Sequence, residues 1–226
     1  VYDLAQSNPE MIRRRFSVVM ARTVAELQGV SCLAMSELEE TPRKQQIISS
    51  KSFGQPIEEL PQLQEAVASY ICRAAEKLRS QQSVCQYVTV FLRTNPFAKN
   101  QKQYRNQITI PLSIASADSR RLTRAAFDGL ERIYKKGFVY KKAGVILSDL
   151  SPVEQFQDDL FTKIDQQKSK KMMQTMDAIN HLYGTNTLIL ASTGATTTNP
   201  RHWRMRANHK SQRFTTRWNE IPKVNS

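Results

Sequence analysis

The sequence predicts an α+β fold: a four-stranded sheet with two helices on one face, in the order βαββαβ, preceded by short helices and followed by a small C-terminal α+β unit. Three observations predict it. Between residues 46 and 150, segments of strand and helix character follow in the order strand, helix, strand, strand, helix, strand. Both helical segments carry one apolar stripe at three- and four-residue spacing, and the strand segments place apolar residues on every second position. Crossover helices of that length both pack on one face of such a sheet, which leaves the other face open to a ligand.

Residues 8–29 read as two helical pieces. Asn8 is placed to cap the first, with Pro9 at its first position. Ile12, Phe16 and Val19 repeat at helical spacing, Val24 and Leu27 continue that apolar face, and Gly29 ends it. Residues 34–46 form a polar, acidic-then-basic connector. Residues 46–54 read as a strand bounded by Gly54 and Pro56. Residues 60–80 form an amphipathic helix whose stripe is Leu63, Val67, Tyr70, Ile71, Ala74 and Leu78. In the strand at 84–95, Val88, Val90 and Leu92 share one face, and Tyr87, Thr89, Phe91 and Arg93 share the other. A polar loop at 95–106 leads to a strand at 107–115, where Pro111 points to an edge position or a bulge. Asp118 or Ser119 caps a helix at 120–136, with Leu122, Ala126, Leu130 and Ile133 inward and Gly137 as its stop. Residues 138–150 are the last strand. Beyond Pro152 the chain turns polar, with a helix at 170–182 and a short strand at 187–192.

Charge divides by region. The chain holds 33 Lys and Arg against 20 Asp and Glu, a formal net of +13; residues 1–45 are neutral, 46–150 carry +8 and 151–226 carry +5. That distribution favours an anionic partner, nucleic acid first. Cys32, Cys72 and Cys85 show no metal-ligand spacing, which fits buried thiols in a reducing cytoplasm. The opening residues do not read as a secretory signal, and no apolar run approaches the ~20 residues that span a bilayer. No membrane partner is expected.

No catalytic set emerges. Paired carboxylates suited to two metal ions are absent from the predicted strands, and Asp158 and Asp159 fall in a linker-like stretch. Phosphate-loop and nucleophile-elbow motifs are missing as well. No catalytic residue, metal ligand or cofactor is therefore assigned, and the pattern favours a binding module.

Three features carry that reading. The first is the open sheet face with its basic loops, where Lys51, Arg93, Lys99, Lys102, Arg105, Lys141 and Lys142 accompany Ser50, Ser52, Thr89, Thr94 and Thr109. Cations and hydroxyls suit phosphate contacts, which position a duplex without reading its sequence. The DNA-contact candidates are Ser50, Lys51, Ser52, Arg93, Thr94, Arg105, Lys141 and Lys142. A merely solvated face would look similar, and the charge excess tips the balance. An RNA-recognition module shares the element order, but the strand at 107–115 lacks its paired aromatics. The second feature is Gln157, Asp158, Asp159, Leu160 and Phe161, an apolar pair in a polar stretch that can anchor in a partner's pocket. The third is the basic run at 201–218 with Trp203, Phe214 and Trp218 interleaved. Its aromatics suit either base stacking or the core of a small terminal unit.

Several runs, in order, resemble the UmuC group of Y-family DNA polymerases, which includes the DNA polymerase V catalytic subunit and its plasmid relatives. Residues 12–32 look like the end of the thumb, and KQQIISSKSFG (44–54) like the start of the little finger. AVASYICRAAEKLRSQ (66–81), FLRTNPF (91–97) and YKKAGVILSDL (140–150) continue the likeness. Gln157–Phe161 falls where the family carries its sliding-clamp motif, with Asp158 where the family often has Leu. Residues 176–180 and 211–224 look like the small C-terminal domain of the group.

The resemblance implies the boundaries 1–33 for the end of the thumb, 34–46 for a connector and 47–150 for the DNA-binding little finger. Residues 151–165 become a linker with the clamp motif, and 166–226 a small C-terminal domain. It also implies an error-prone, cytoplasmic polymerase of SOS repair and mutagenesis. Palm and fingers, whose carboxylates hold Mg2+, are expected to precede residue 1, so this chain alone is expected to be inactive. The implied partners are template-primer DNA, the sliding clamp, the processed UmuD dimer and RecA. A non-enzymatic DNA- and clamp-binding adaptor from a truncated gene would use the same surface.

Overall fold

The computed structural model describes residues 1–32, 43–98, 100–153, 166–194, 203, 205, 211–213 and 217–221. The chain divides into two compact units, Val1–Arg43 and Lys44–Ser226.

The first unit carries helices α1 (Tyr2–Ala5), α2 (Pro9–Arg15) and α3 (Val18–Leu27). Asn8 Oδ1 accepts from the Glu10 N–H at 2.9 Å, with Pro9 at the first helical position, as the sequence predicts. Ser17 is extended, and its Oγ accepts from the Met20 N–H at 3.2 Å as the cap of α3. That second cap resets the helical phase. Ile12 and Val24 are buried, whereas Phe16, Val19 and Leu27 are exposed instead of continuing one face.

The second unit contains β1 (Gln46–Ile57), α4 (Leu60–Ser80), β2 (Ser83–Thr94), β3 (Arg105–Ser116), α5 (Ser119–Ile133), β4 (Tyr140–Pro152) and α6 (Gln166–Tyr183). The four strands form one antiparallel sheet in the order β1-β4-β2-β3. Its helix-covered side joins Val88, Val90 and Leu92 of β2 and Ala143, Val145 and Leu147 of β4 to the stripes of α4 and α5 in one core. Each large side chain buried there contributes roughly 1.5–3 kcal/mol. Close approach is built in at Gly129 of α5, where a Cβ would lie 3.1 Å from Ile110 Cγ1.

Departures from the expected elements have local causes. β1 continues through Gly54 and Pro56 to Ile57, because a register shift between Ser52 and Ile57 absorbs both on an edge strand. Pro111 likewise sits on the edge strand β3, beside a register break. Asp118 Oδ1 caps α5 from the Arg120 N–H at 2.8 Å, and α5 ends at Ile133, ahead of Gly137. The strand expected at 187–192 is replaced by a side-chain mimic of pairing. Asn180 Nδ2 donates to Leu188 O at 2.9 Å and Asn180 Oδ1 accepts from Leu188 N–H at 2.8 Å, ahead of a tight turn at Ala191–Thr193.

The C-terminal residues dock on the sheet domain. Arg79 forms a two-pronged ion pair with Asp177 at 2.6 and 2.7 Å, and Ser169 Oγ donates to Asp118 Oδ2 at 2.5 Å. Trp203 meets the Tyr70 ring edge to face at 6.0 Å, and its carbonyl oxygen accepts from the Gly54 N–H at 3.1 Å. Among the described residues, no helix is long and apolar enough to cross a membrane.

Candidate nucleic-acid interface

Strand pairing decides which side chains share the uncovered face. Lys142 stands opposite Ser52 on one side and Arg93 on the other, and Arg93 stands opposite Arg105. One row across all four strands therefore reads Ser52, Lys142, Arg93, Arg105. The next row reads Ser50, Gly144, Phe91, Gln107. A third reads Ile48, Ile146, Thr89, Thr109, and a fourth reads Gln46, Ser148, Tyr87, Pro111. None of these side chains is Asp or Glu. The three cations cross two strand spacings, about 10 Å, comparable to the axial rise of about three phosphates on one DNA strand.

Local contacts fix this face. Thr89 and Thr109 hydroxyls meet at 2.7 Å. Phe91 is only 9% exposed although it lies on the uncovered side. Gly144 explains this, because a Cβ there would fall 2.4 Å from Phe91 Cζ. The ring thus occupies the space a side chain would take, and the Arg93 guanidinium lies 5.6 Å from its centroid. Arg93 Nε is buried and has no hydrogen-bond partner among the described residues. Phe91, Arg93, Arg105, Asn106 and Gln107 line a shallow pocket of about 220 Å3. Like charges on neighbouring strands repel, and an anion over the row relieves that repulsion while offering acceptors to the guanidinium groups.

Ser50, Ser52, Arg93, Arg105 and Lys142 come together here. Lys51 does not, since it pairs with Ala143 on the helix-covered side at the β1 edge. Thr94 follows Arg93 and so points the opposite way; it is buried, with Oγ1 donating to Gln103 Oε1 at 2.9 Å. Lys141 is the extra residue of a bulge between Lys142 and Tyr140, and its Nζ donates to Phe53 O at 2.7 Å. Lys102 is exposed in the loop that joins the Arg93 and Arg105 ends of their strands. Lys99 and Gln157, Asp158, Asp159, Leu160 and Phe161 lie outside the described residues. Sequence reasoning missed Gly144 and Gln107; a lone glycine between Ala143 and Val145 in a strand was the available signal.

Among the described residues no three His, Cys, Asp or Glu side chains come together as a metal site.

Fold and face together define an α+β sheet module with helices on one side and an acid-free, basic surface on the other. The model of the impB/mucB/samB family C-terminal domain matches residues 44–160, and a domain of unknown function, DUF4113, matches residues 170–224. The chain belongs to the impB/mucB/samB family. It is 41% identical over 220 residues to Protein ImpB of Salmonella typhimurium, covering 97% of this chain and 50% of the relative. With Protein MucB of Escherichia coli the identity is 40% over 222 residues, covering 98% and 51%. With Protein UmuC of Salmonella typhimurium strain LT2 it is 36% over 223 residues, again covering 98% and 51%. The chain thus spans about half the length of the curated relatives it matches. The resemblance to the C-terminal part of the UmuC group, and the α+β sheet expected from it, are borne out.

Proposed function

We propose that this chain is the DNA-gripping and partner-docking C-terminal region of an error-prone translesion DNA polymerase of SOS repair and mutagenesis. The observation that carries the reading is the acid-free row Lys142, Arg93 and Arg105 across adjacent strands. These cations, with the Ser50 and Ser52 hydroxyls, contact backbone phosphates of the template-primer duplex without reading bases. Gln157–Phe161 tethers the polymerase to the sliding clamp and raises its effective concentration at the primer end. Family resemblance extends the partners to the processed UmuD dimer and RecA. Nucleotide addition belongs to the parent polymerase, and this chain alone adds none.

The test is binding of labelled primed duplex to the full chain across a salt series, beside an Arg93→Ala/Arg105→Ala/Lys142→Ala variant. Each lost phosphate contact lowers the slope of log affinity against log salt by about 0.9. Three lost contacts reduce it by roughly 2 to 3. An unchanged slope would refute the assignment of these residues. Template-directed extension by the purified chain would overturn the statement that it adds no nucleotides.

A further inference from the structure

The loop between β2 and β3 holds one aromatic ring out in solvent. Phe97 is 88% exposed, and among the described residues it is the one large apolar side chain exposed between Tyr87 and Met172. An apolar home lies close by. At the foot of the loop Tyr104 packs on Phe138 with ring centroids 4.9 Å apart and meets Tyr140 edge to face at 6.1 Å. Phe97 stays out of that cluster, because the loop is braced in another shape. Gln103 Nε2 lies 3.0 Å from both Asn95 O and Ala98 O and 3.2 Å from Gln101 O, and Gln103 Oε1 accepts from the Thr94 hydroxyl at 2.9 Å. One side-chain amide thus ties four points of the loop. The Phe97 N–H donates to Asn95 Oδ1 at 3.1 Å, and the Ala98 N–H to Asn95 O at 3.2 Å. A ring held open on a braced loop loses little freedom when a ligand covers it.

The loop joins the strand ends that carry Arg93 and Arg105, so Phe97 stands no more than about 14 Å of extended chain from the cation row. Exposed Lys102 shares the loop. We infer that Phe97 stacks on an unpaired base of the DNA strand whose phosphates the row holds, so that the region grips single-stranded template beside the duplex. The inference rests on the phosphate reading of that row. Cations that track a backbone, with an aromatic ring beside them, make a site for single strands. Paired bases offer the ring no partner. Both faces of each are covered in the duplex, and inserting a ring between them costs at least about as much as one stacked ring returns. A lone ring therefore selects a base that is already unstacked. Stacking tolerates any sequence, since every base has a π face, which agrees with a row that holds phosphates and reads no bases.

The experiment uses the full chain and two labelled DNAs, a blunt duplex and the same duplex with a single-stranded template overhang, read by anisotropy. Phe97→Ala should weaken binding of the overhang DNA about tenfold and leave blunt-duplex binding unchanged. Its salt slope should equal the parent's, because no phosphate contact is lost. Phe97→Trp should keep the parent's affinity, whereas Phe97→Leu, apolar without a flat π face, should bind like Phe97→Ala. With 2-aminopurine in the overhang, the parent should quench its fluorescence and Phe97→Ala should not. Equal affinity of Phe97→Ala and parent for the overhang DNA would overturn the inference, as would an equal loss on the blunt duplex or full rescue by leucine. The two readings fail separately. An unchanged salt slope in the Arg93→Ala/Arg105→Ala/Lys142→Ala variant refutes the phosphate row, whereas a reduced slope there beside an unaffected Phe97→Ala refutes the stacking alone. Failure of the parent chain to bind either DNA would overturn both.

Discussion

Gly144→Ala tests whether the uncovered face is built around the missing side chain at that position. The new Cβ would lie 2.3 Å from Ser50 Cβ, 2.4 Å from Phe91 Cζ and 2.7 Å from Phe91 Cε1. Carbon atoms settle at about 3.5–4.0 Å, so each contact overlaps by about 1 Å. The Phe91 ring can turn aside, at the cost of its place under the Arg93 guanidinium. Ser50 Cβ cannot, being fixed to the β1 backbone, and relief there requires β1 and β4 to part. Overpacking of this kind costs about 1–3 kcal/mol, and the fixed contact points to the upper end of that range. With a urea slope of about 2 kcal/mol per molar, the midpoint followed by circular dichroism falls by about 1 to 1.5 M. A Phe91→Ala background removes the ring overlap and leaves the Ser50 overlap. Gly144→Ala should therefore cost less there, with a coupling of about 0.5–3 kcal/mol. A midpoint within about 0.25 M of the parent would refute the steric reasoning.

Two further perturbations probe the docking of the C-terminal residues and the cap beneath it. Burial opposes ionisation of Asp118, but hydrogen bonds from Arg120 and Ser169 outweigh it and hold the carboxyl below its ordinary range. A lowered native value means that its stabilisation is present above the unfolded value of about 3.9 and is lost as pH falls through the native one. Asp118→Ala should cost about 1–2 kcal/mol at neutral pH through the lost cap of α5. In thermal melts the gap should narrow by pH 3, and an equal gap at both pH values contradicts the linkage. Asp177→Ala leaves Arg79 bonded to Ala117 O at 2.8 Å and Ser119 Oγ at 3.0 Å. Because Asp177 is 31% exposed, the loss is about 1–2 kcal/mol and not the larger penalty of a fully buried pair. Amide exchange should rise across Gln166–Tyr183 while α4 stays protected; unchanged exchange in α6 would show that this ion pair does not hold it.

The sheet domain was legible because its signals are local and agree. The stripe of α4 and the alternation of Val88, Val90 and Leu92 each carry one period, and both point into one core. Elsewhere, local signals were overruled by single side chains. Ser17 caps a new helix and breaks the face shared by Phe16 and Val19. Asn180 satisfies the Leu188 backbone that an apolar run suggested would join a strand. Neither event changes the hydrophobic pattern, so periodicity does not report it. The docking of Trp203 on Tyr70 is a long-range contact without a local signature.

The candidate site shows the same division, and its register carries the argument about function. Alternation alone put Arg93 with Phe91, Thr89 and Tyr87, but it could not say that Lys142 and Arg105 flank Arg93. Nor could it say that a bulge turns Lys141 toward Phe53 O. Once the register is known, the charges fall into two groups. Arg79, Arg120 and Arg213 pair with Asp177, Asp118 and Glu220, where they join separate segments or cap a helix. Arg93, Lys142 and Arg105 stand side by side on a face that holds no acid. Like charges opposite one another cost a few tenths to about 1 kcal/mol per pair. Folding gives no reason to bear that cost, and an anionic ligand does. The triple alanine variant, expected to weaken duplex binding, should therefore unfold no more readily than the parent, apart from packing lost at the Arg93 stem. Opposite signs for binding and stability in one variant are what a binding row produces, whereas a structural row would lose both together.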